Sequence, residues 1–266
     1  MTFEYRETAQ DLQTRIELHA KYGKRDIDQW MLDLLKPTKN TEILDVGCGS
    51  GKQLAAFHHY LGGEAHLTGG DVNEELLDRA RERNAAAGGY WDVRVLDFNQ
   101  RFPLGDRSYD LVSCSFALYY AQDIGFTVGE MHRVLAPGGR LFTTGPMPEN
   151  KQLFYEVIRE ATGKAIPPMP GNSRYSSEIL DAIRDRFAKV EVYIFENPLE
   201  FESVRPFLDY SRASLSEDRK LWGGFFRDTR DFEHVMGQIE SVARKRLASH
   251  GKLVMTKVVG GFVATK

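Results

Sequence analysis

The fold of this chain is decided by the stretch Glu42-Ile43-Leu44-Asp45-Val46-Gly47-Cys48-Gly49-Ser50-Gly51. A short apolar run, which favours a buried strand, passes through one carboxylate into three alternating glycines. Glycine lets the backbone turn tightly and approach a ligand closely where a Cβ would collide with it. A strand, such a turn and then a helix are typical of a nucleotide-type site at the carboxyl end of a parallel strand.

The spacing of the glycines selects among the possible nucleotides. A dinucleotide-binding turn has the pattern G-x-G-x-x-G, which would require a glycine at position 52, where this chain has Lys52. The pattern D-x-G-x-G-x-G instead resembles motif I of the class I S-adenosylmethionine-dependent methyltransferases. The resemblance implies cofactor contacts from Asp45, Gly47, Cys48, Gly49 and Gly51, and we expect the Cys48 sulfur itself to pack in the core.

The composition argues against several classes of protein. Among 266 residues the formal net charge is −3, which leaves no electrostatic footprint for nucleic acid or an anionic membrane surface. No apolar run approaches the ~18 residues of a membrane span, and the polar first residues do not form a secretion signal. Neither the two cysteines nor the seven histidines show metal-ligand spacing. We therefore expect a cytoplasmic protein without metal, nucleic-acid or membrane partners; its oligomeric state is open.

Alternating strand and helix patterns over residues 41–145 predict a parallel α/β sheet. The predicted strands are Glu42–Val46, His66–Gly70, Val93–Leu96, Tyr109–Ser113, Arg140–Thr144, Val190–Phe195 and Leu253–Ala264. Residues 1–36 are predicted to form an N-terminal helical lid. Residues 37–266 would then be one Rossmann-like domain with helical cap insertions around 146–187 and 203–250.

Acidic residues end the second and third predicted strands. Asp71 lies one strand–helix–strand step after the glycine motif, where a carboxylate is placed to accept both ribose hydroxyls of a nucleoside, and Val72 follows it. Asp97 is placed to accept from the exocyclic amine of adenine, with Phe98 beside the ring. The alternative is that both carboxylates cap turns and that Phe98 belongs to the core.

The fourth predicted strand runs into a loop rich in aromatic residues. Ser115 and Phe116 are expected to border the methionine part of the cofactor, and Phe116 also to face the acceptor pocket. Tyr119 and Tyr120 are candidates for the lining of that pocket. For each tyrosine the alternative is simple packing in the core.

Residues 42–145 as a whole resemble the class I methyltransferase core, close to its ubiquinone/menaquinone-type and small-molecule natural-product branch. The segments Ile43–Gly51, Tyr109–Val112 and Arg133–Leu141 match the family's pattern in order and at the right intervals. The resemblance implies seven strands, mostly parallel with the last antiparallel, and S-adenosyl-L-methionine as cofactor. Gly70 departs from the pattern, since relatives usually carry an apolar residue there.

The N-terminal segment Leu18-His19-Ala20-Lys21-Tyr22 is similar to one that closes over the cofactor in many relatives. There Tyr22 would meet the methionine carboxylate, and His19 would lie near the acceptor pocket. A sulfonium is already an excellent leaving group, so positioning and desolvation can supply most of the rate, and no catalytic residue is assigned. His19 and, less so, His234 are candidate bases beside the alternative of a structural role.

The sequence as a whole thus predicts methyl transfer to an O, N or C nucleophile of a small, partly apolar or aromatic molecule, with secondary metabolism as one setting. Two alternatives are a non-catalytic S-adenosylmethionine-binding module and a nicotinamide-dependent oxidoreductase, against which Lys52 speaks. Glu130 and Arg133, three apart on a predicted helix, are interpreted as a surface or helix-end ion pair rather than as catalytic groups.

Overall fold

The computed structural model describes residues 9–89, 91–166, 170–216, 222 and 224–266. The strands are β1 (Glu42–Val46), β2 (His66–Asp71), β3 (Asp92–Val95), β4 (Tyr109–Ser115), β5 (Leu135–Pro146), β6 (Lys189–Phe201) and β7 (Leu253–Thr265). The helices are α1 (Ala9–Tyr22), α2 (Ile27–Leu35), α3 (Lys52–Tyr60), α4 (Glu74–Ala86), α5 (Ile124–Val134), α6 (Gln152–Thr162), α7 (Pro170–Arg174), α8 (Leu180–Arg184), α9 (Val204–Ser216) and α10 (Thr229–His250). A 3₁₀ turn covers Leu118–Tyr120, and a π turn at Tyr175–Ile179 joins α7 to α8.

These strands form one sheet in the order β3-β2-β1-β4-β5-β7-β6. Strand β1 pairs in parallel with β2 and β4, and the pairs β2–β3 and β4–β5 are also parallel. Strand β7 runs antiparallel to β5. The predicted Rossmann-like sheet, seven-stranded and mostly parallel with an antiparallel last strand, is confirmed. The chain order reverses between β1 and β4, and open α/β sheets bind their ligands at such a switch point.

The chain divides into two compact units. The sheet unit contains residues 27–148, 170–195 and 259–266, and the helical unit contains the described parts of 1–26, 149–169 and 196–258. This division falls after Asp26 and not after residue 36, because α2 buries Met31 and Leu35 in the same core as Ile43 and Phe57. The proposed lid over 1–36 and the cap insertions remain predictions.

The core of the sheet unit lies on both faces of the sheet, as the period of two along each strand requires. On one face Leu44 and Val112 pack with Met131 of α5. On the other face Ile43 and Phe142 lie in one cluster with residues of α2 and α3. Because both faces are covered, the open edge for a ligand in this unit is the carboxyl end of the parallel strands.

The pair Gly69-Gly70 lets β2 approach its neighbours closely. A Cβ on Gly70 would lie 2.7 Å from the Leu96 Cβ, and one on Gly69 would lie 2.5 Å from the Leu54 Cδ1. An apolar side chain at position 70, as relatives usually carry, would therefore displace Leu96 from its place in this core.

We expect Gly70→Ala to lower the free energy of unfolding by about 1–3 kcal/mol, because the added methyl overpacks the contact with Leu96. The matched control is Gly237→Ala in α10, where a Cβ meets nothing within 4 Å. That variant gains helix propensity and should be more stable by about 0.5–1 kcal/mol. Urea denaturation measures both changes. Gly70→Ala as stable as the wild type would refute the close-packing explanation.

The helical unit has its own apolar core. Phe154 of α6 and Met236 of α10 lie in one buried cluster with Trp222. The buried aromatic residues of that cluster include Phe201, Phe207, Tyr210, Trp222 and Phe225. These rings pack the core of the helical unit. Over the described ranges, no helix is both long and apolar enough to cross a membrane.

Candidate functional site

The glycine turn lies at the switch point, between the carboxyl end of β1 and the start of α3. Its three glycines all have positive φ, with 71° at Gly47, 51° at Gly49 and 72° at Gly51. The Gly70 carbonyl accepts from the amides of Gly47 at 2.7 Å and Cys48 at 3.0 Å, which fastens the turn to β2. A Cβ on Gly47 would lie 2.5 Å from the Ala117 Cβ. Both the positive φ angles of the turn and the close approach of Gly47 to Ala117 therefore favour glycine.

The Cys48 side chain faces the interior and not the turn's open side. The residue is 7% exposed, and burial raises the pKa of its thiol. A Cβ on Gly69 would lie 3.0 Å from the Cys48 sulfur. The sulfur packs against β2 and donates to the Gly49 carbonyl at 3.7 Å.

Asp71 holds the glycine turn from the end of β2. Its Oδ2 accepts from the Gly49 amide and its Oδ1 from the Asn73 amide, each at 2.9 Å. Each carboxylate oxygen has a second lone-pair site, so the half-buried group keeps capacity for further donors. Beside it the Val72 side chain is 58% exposed, and this apolar surface is one against which a flat ring can pack.

Asp97 is engaged within its own turn. Its Oδ1 accepts from the backbone amide of Asn99 at 2.9 Å and from the Asn99 side-chain amide at 3.0 Å. Its Oδ2 accepts from the Gln100 side-chain amide at 3.1 Å. This is the turn-capping arrangement, and an adenine contact remains a prediction. The half-buried Phe98 ring lies 3.9 Å from where a Gly47 Cβ would be, so it borders the glycine turn.

Asp45, at the foot of the turn, is a buried carboxyl. It is 2% exposed, and no described residue forms a hydrogen bond with its Oδ1. Burial raises the pKa of Asp45 to about 7, the Ser113 hydroxyl opposes this rise, and the nearby charges of Asp71 and Asp28 add to it. A polar group this deeply buried, with an oxygen that no described residue contacts by a hydrogen bond, is exceptional. It indicates that a hydrogen-bond donor of a ligand binds there.

The raised pKa of Asp45 gives a testable pH dependence. In the native state the carboxyl keeps its proton up to about pH 7, whereas in the unfolded chain it ionises near its ordinary pKa of 3.8. The native state therefore binds more protons between these values, and wild-type stability falls as pH rises through this window. Asp45→Asn removes the titration, so its stability relative to the wild type should rise from pH 4 to pH 7, by about 4 kcal/mol at most. Thermal denaturation across this range measures it, and a pH-independent difference would contradict the buried carboxyl.

The end of β4 combines a buried hydroxyl with a strained backbone. The Ser115 Oγ is buried and no described residue forms a hydrogen bond with it. Phe116, directly after it, has φ 55°, which is uncommon for a residue with a side chain, and its amide donates to the Thr144 carbonyl at 2.9 Å. Residues held in such conformations cluster at ligand-binding sites.

Tyr119 and Tyr120 form an aromatic pair in the 3₁₀ turn that follows. Their ring centroids are 4.6 Å apart, and both side chains are half-buried. The Arg174 guanidinium fastens this turn by donating to the carbonyls of Tyr119 at 2.7 Å and Ala121 at 3.0 Å. The turn therefore presents two partly open rings on a fixed backbone.

His19 and Tyr22 belong to the helical unit. The His19 ring packs edge-on against Tyr210 with 5.6 Å between centroids, and the Tyr22 ring lies 5.1 Å from that of Phe201. Their roles at a cofactor or acceptor remain predictions. Lys52, which departs from the dinucleotide pattern, forms an ion pair with Asp28 at 2.9 Å.

Sequence reasoning did not single out Thr144, at the carboxyl end of β5. Its side chain is 2% exposed, and its Oγ1 has no hydrogen-bond partner in the described part of the chain. The adjacent Thr143 is also buried, but its hydroxyl is paired with the Tyr175 hydroxyl at 3.0 Å. The two residues differ only in surroundings, which the sequence pattern does not reveal.

Two further predictions concern groups outside this edge. Glu130 and Arg133 form the expected ion pair, with 2.7 Å between carboxylate and guanidinium. Within the described ranges no group of three or more His, Cys, Asp or Glu side chains is arranged to hold a metal ion.

Comparison with known proteins identifies one domain within the chain. A family model described as a methyltransferase domain matches residues 43–139, the part that contains the glycine turn and strands β1 to β4. Residues 43–139 of this chain match a methyltransferase domain. The resemblance of the motifs is thereby confirmed.

Relatives of the methyltransferase domain include enzymes named for quinone biosynthesis. The demethylmenaquinone methyltransferase of Listeria monocytogenes is 33% identical over 148 residues, which cover 54% of this chain and 60% of that protein. A ubiquinone/menaquinone biosynthesis C-methyltransferase of Desulfotalea psychrophila is 27% identical over 173 residues, covering 65% and 64% of the two chains. The chain thus spans about 60% of the length of the first of these relatives.

The fold also matches solved structures of methyltransferases. A SAM-dependent methyltransferase from Aquifex aeolicus superposes with a TM-score of 0.54, at 20% identity, over 70% of this chain and 89% of that one. At this level of identity the likeness shows the fold alone.

Proposed function

We propose that this chain binds S-adenosyl-L-methionine along the carboxyl ends of β3, β2, β1 and β4 and transfers its methyl group to a small acceptor. The observation that carries the proposal is the Asp71 carboxylate, which holds the glycine turn and keeps lone pairs for a ligand. The methyltransferase domain match over residues 43–139 supports it. Because the named relatives are matched over only part of their length, the activity is a proposal for this chain.

The residues at this edge suit the chemical groups of that cofactor. Asp71 would accept the ribose hydroxyls. The exposed Val72 side chain and the half-buried Phe98 ring offer apolar surfaces to the adenine. The free Oδ1 of Asp45 and the Ser115 Oγ are buried polar atoms without partners among the described residues, and they suit the amino and carboxylate groups of the methionine part. The glycine turn leaves room for the nucleoside where side chains would fill it.

When bound, the cofactor would supply a methyl group on a positively charged sulfur, with a neutral thioether as the leaving group and an electron pair of the acceptor forming the new bond. The task of the chain is then to hold the acceptor in line and to exclude water. The buried carboxyl of Asp45 and the glycine turn would hold the methyl donor in position. A base is needed only where the acceptor must lose a proton, and the candidates His19 and His234 lie in the helical unit.

For the acceptor we propose a small aromatic or partly apolar molecule that carries a hydroxyl, of the quinol or natural-product kind. The paired rings of Tyr119 and Tyr120 support this, since they present partly open aromatic surfaces after β4. The relatives named for demethylmenaquinone methylation support it as well. In a hydroquinone the hydroxyl makes the neighbouring ring carbon electron-rich, so O- and C-methylation are both open to such a ring.

The test is transfer of tritium from methyl-labelled S-adenosylmethionine to two probes, 1,4-naphthohydroquinone and a short-chain demethylmenaquinol. We expect label in the organic product and stoichiometric S-adenosylhomocysteine. Tight S-adenosylhomocysteine binding without transfer to either probe or to a mixed metabolite extract would favour the non-catalytic binding module. Stabilisation by NAD alone would favour the oxidoreductase.

A further inference from the structure

Four buried hydroxyls near the ends of β4 and β5 fall into two kinds. Two are paired: the Ser113 Oγ donates to the Gln53 Oε1 at 3.1 Å, and the Thr143 hydroxyl is hydrogen-bonded to that of Tyr175 at 3.0 Å. Two are not paired with any described residue: the Ser115 Oγ and the Thr144 Oγ1. The unpaired hydroxyls are the last of their strands, at the edge where the donor is proposed to bind.

The Thr144 hydroxyl, which has no hydrogen-bond partner among the described residues, lowers the stability of the folded protein. A buried donor or acceptor without a partner loses its hydrogen bonds to water and gains none in return. A valine has nearly the same shape and would avoid that loss. Because such groups are rare in native structures, a bound molecule that completes the hydrogen bond explains this one.

The surroundings of Thr144 place it at a specific point on the sheet. In the strand register it is the Cα partner of Ser115 on β4 and of Gly261 on β7. A Cβ on Gly261 would lie 2.6 Å from the Trp30 ring, so that ring closely covers the position beside Thr144. Trp30 is half-buried, and its ring centroid lies 6.4 Å from that of Phe142, two residues before Thr144 on the same face.

The order of the strands separates Thr144 from the donor. Along the sheet, the strand-end polar residues run from Asp97 on β3 through Asp71 on β2, Asp45 on β1 and Ser115 on β4 to Thr144 on β5. The proposed donor occupies the first four of these positions, from its adenine to its methionine part. Thr144 is one strand further along, next to the methionine part, whose sulfur carries the methyl group.

We propose that Thr144 is a specificity-determining residue of the acceptor site. Its hydroxyl forms a hydrogen bond with an oxygen or nitrogen of the methyl acceptor, whose flat apolar part lies against the Trp30 ring. The inference rests on the proposed methyl transfer and adds to it a residue and a binding preference. A hydroxyl both donates and accepts, so it suits a phenol, a hydroquinone or a ring carbonyl.

The experiment compares Thr144→Val with Thr143→Val, which has the same size and strand, comparable burial and a partnered hydroxyl. For Thr144→Val we expect an unchanged or higher Tm, by about 2–4 °C, because an unpaired hydroxyl is removed. We expect its Kd for S-adenosylhomocysteine within about twofold of the wild type. We also expect kcat/KM for 1,4-naphthohydroquinone about tenfold lower, mainly through KM, because one hydrogen bond to the acceptor is lost. Thr144→Ser should restore most of the loss.

Thr143→Val should show the opposite pattern, with a lower Tm and an unchanged KM for the naphthohydroquinone. An unchanged acceptor KM in Thr144→Val, or a weakened affinity for S-adenosylhomocysteine instead, would overturn the proposal. If the wild type transfers no methyl group, the proposed function fails separately. The role of Thr144 is then decided by calorimetric binding of the naphthohydroquinone to protein saturated with S-adenosylhomocysteine. Binding about tenfold weaker in Thr144→Val supports it, and equal or absent binding overturns it.

Discussion

Replacing Asp71 by alanine should weaken S-adenosylhomocysteine binding by about 100-fold, measured by isothermal titration calorimetry. The carboxylate is proposed to accept two ribose hydroxyls, and hydrogen bonds to a charged group contribute about 1.5–3 kcal/mol each. It also fixes the amides of Gly49 and Asn73, each at 2.9 Å. The substitution therefore removes ligand contacts and loosens the glycine turn at the same time.

The matched control for this variant is Asp110→Ala. The Asp110 carboxylate also accepts from a backbone amide, that of Glu42 at 3.0 Å, but it lies near the start of β4, at the opposite end of the parallel strands. Its loss should leave the Kd for S-adenosylhomocysteine unchanged. A folded Asp71→Ala protein with wild-type affinity would remove Asp71 from the proposed site.

Replacing Arg133 by methionine should lower the free energy of unfolding by about 2–4 kcal/mol. The guanidinium contacts the Glu130 carboxylate at 2.7 Å and donates to the carbonyls of Phe102 at 3.1 Å and Leu104 at 2.9 Å. Both charged side chains are largely buried, with 18% of Arg133 and 12% of Glu130 exposed. Without the cation, the Glu130 carboxylate loses its charged partner and keeps the Phe102 amide at 2.8 Å, and two carbonyls lose a donor.

Guanidinium chloride denaturation measures this loss, with Arg244→Met as control. Arg244 pairs with Glu240 one helical turn away on the exposed surface, where such a pair contributes about 0.3–0.5 kcal/mol. The Arg133 hydrogen bond also lowers the pKa of Glu130. Because the pKa of Glu130 is lowered in the native state, its ionised carboxylate stabilises that state at pH values above the ordinary glutamate pKa. This stabilisation is lost as the pH falls through the lowered pKa. The difference in free energy of unfolding between wild type and Arg133→Met should therefore narrow in acid. Equal losses in the two variants would show that Arg133 is only a surface charge.

Much of the sheet could be predicted because its strands are apolar runs of the right length between turn signals. Where the observed strand limits differ from the predicted ones, the cause is local. Strand β6 continues through Pro198 to Phe201. It can do so because β6 is an edge strand, where the missing amide of a proline costs little. Strand β5 already begins at Leu135 because that residue pairs with Tyr109 across an irregularity in the register. Pairing partners of this kind are not visible in a single sequence.

The candidate site was predictable where a polar side chain directly follows an apolar strand. Asp71 and Asp97 follow apolar runs, and that position alone brings them to the ligand edge. Their hydrogen bonds to the glycine turn and to Asn99 depend on backbone geometry, so the pattern left both interpretations open. Thr144 could not be distinguished from Thr143, because only three-dimensional packing decides which hydroxyl finds a partner.

Calorimetric titration of the wild-type chain with S-adenosylhomocysteine and, separately, with NAD is the most direct test of a methyl donor site at the glycine turn. The geometry around Gly47, Asp45 and Asp71 predicts saturable binding of S-adenosylhomocysteine at one site per chain, and none of NAD. Binding of NAD without binding of S-adenosylhomocysteine would contradict it.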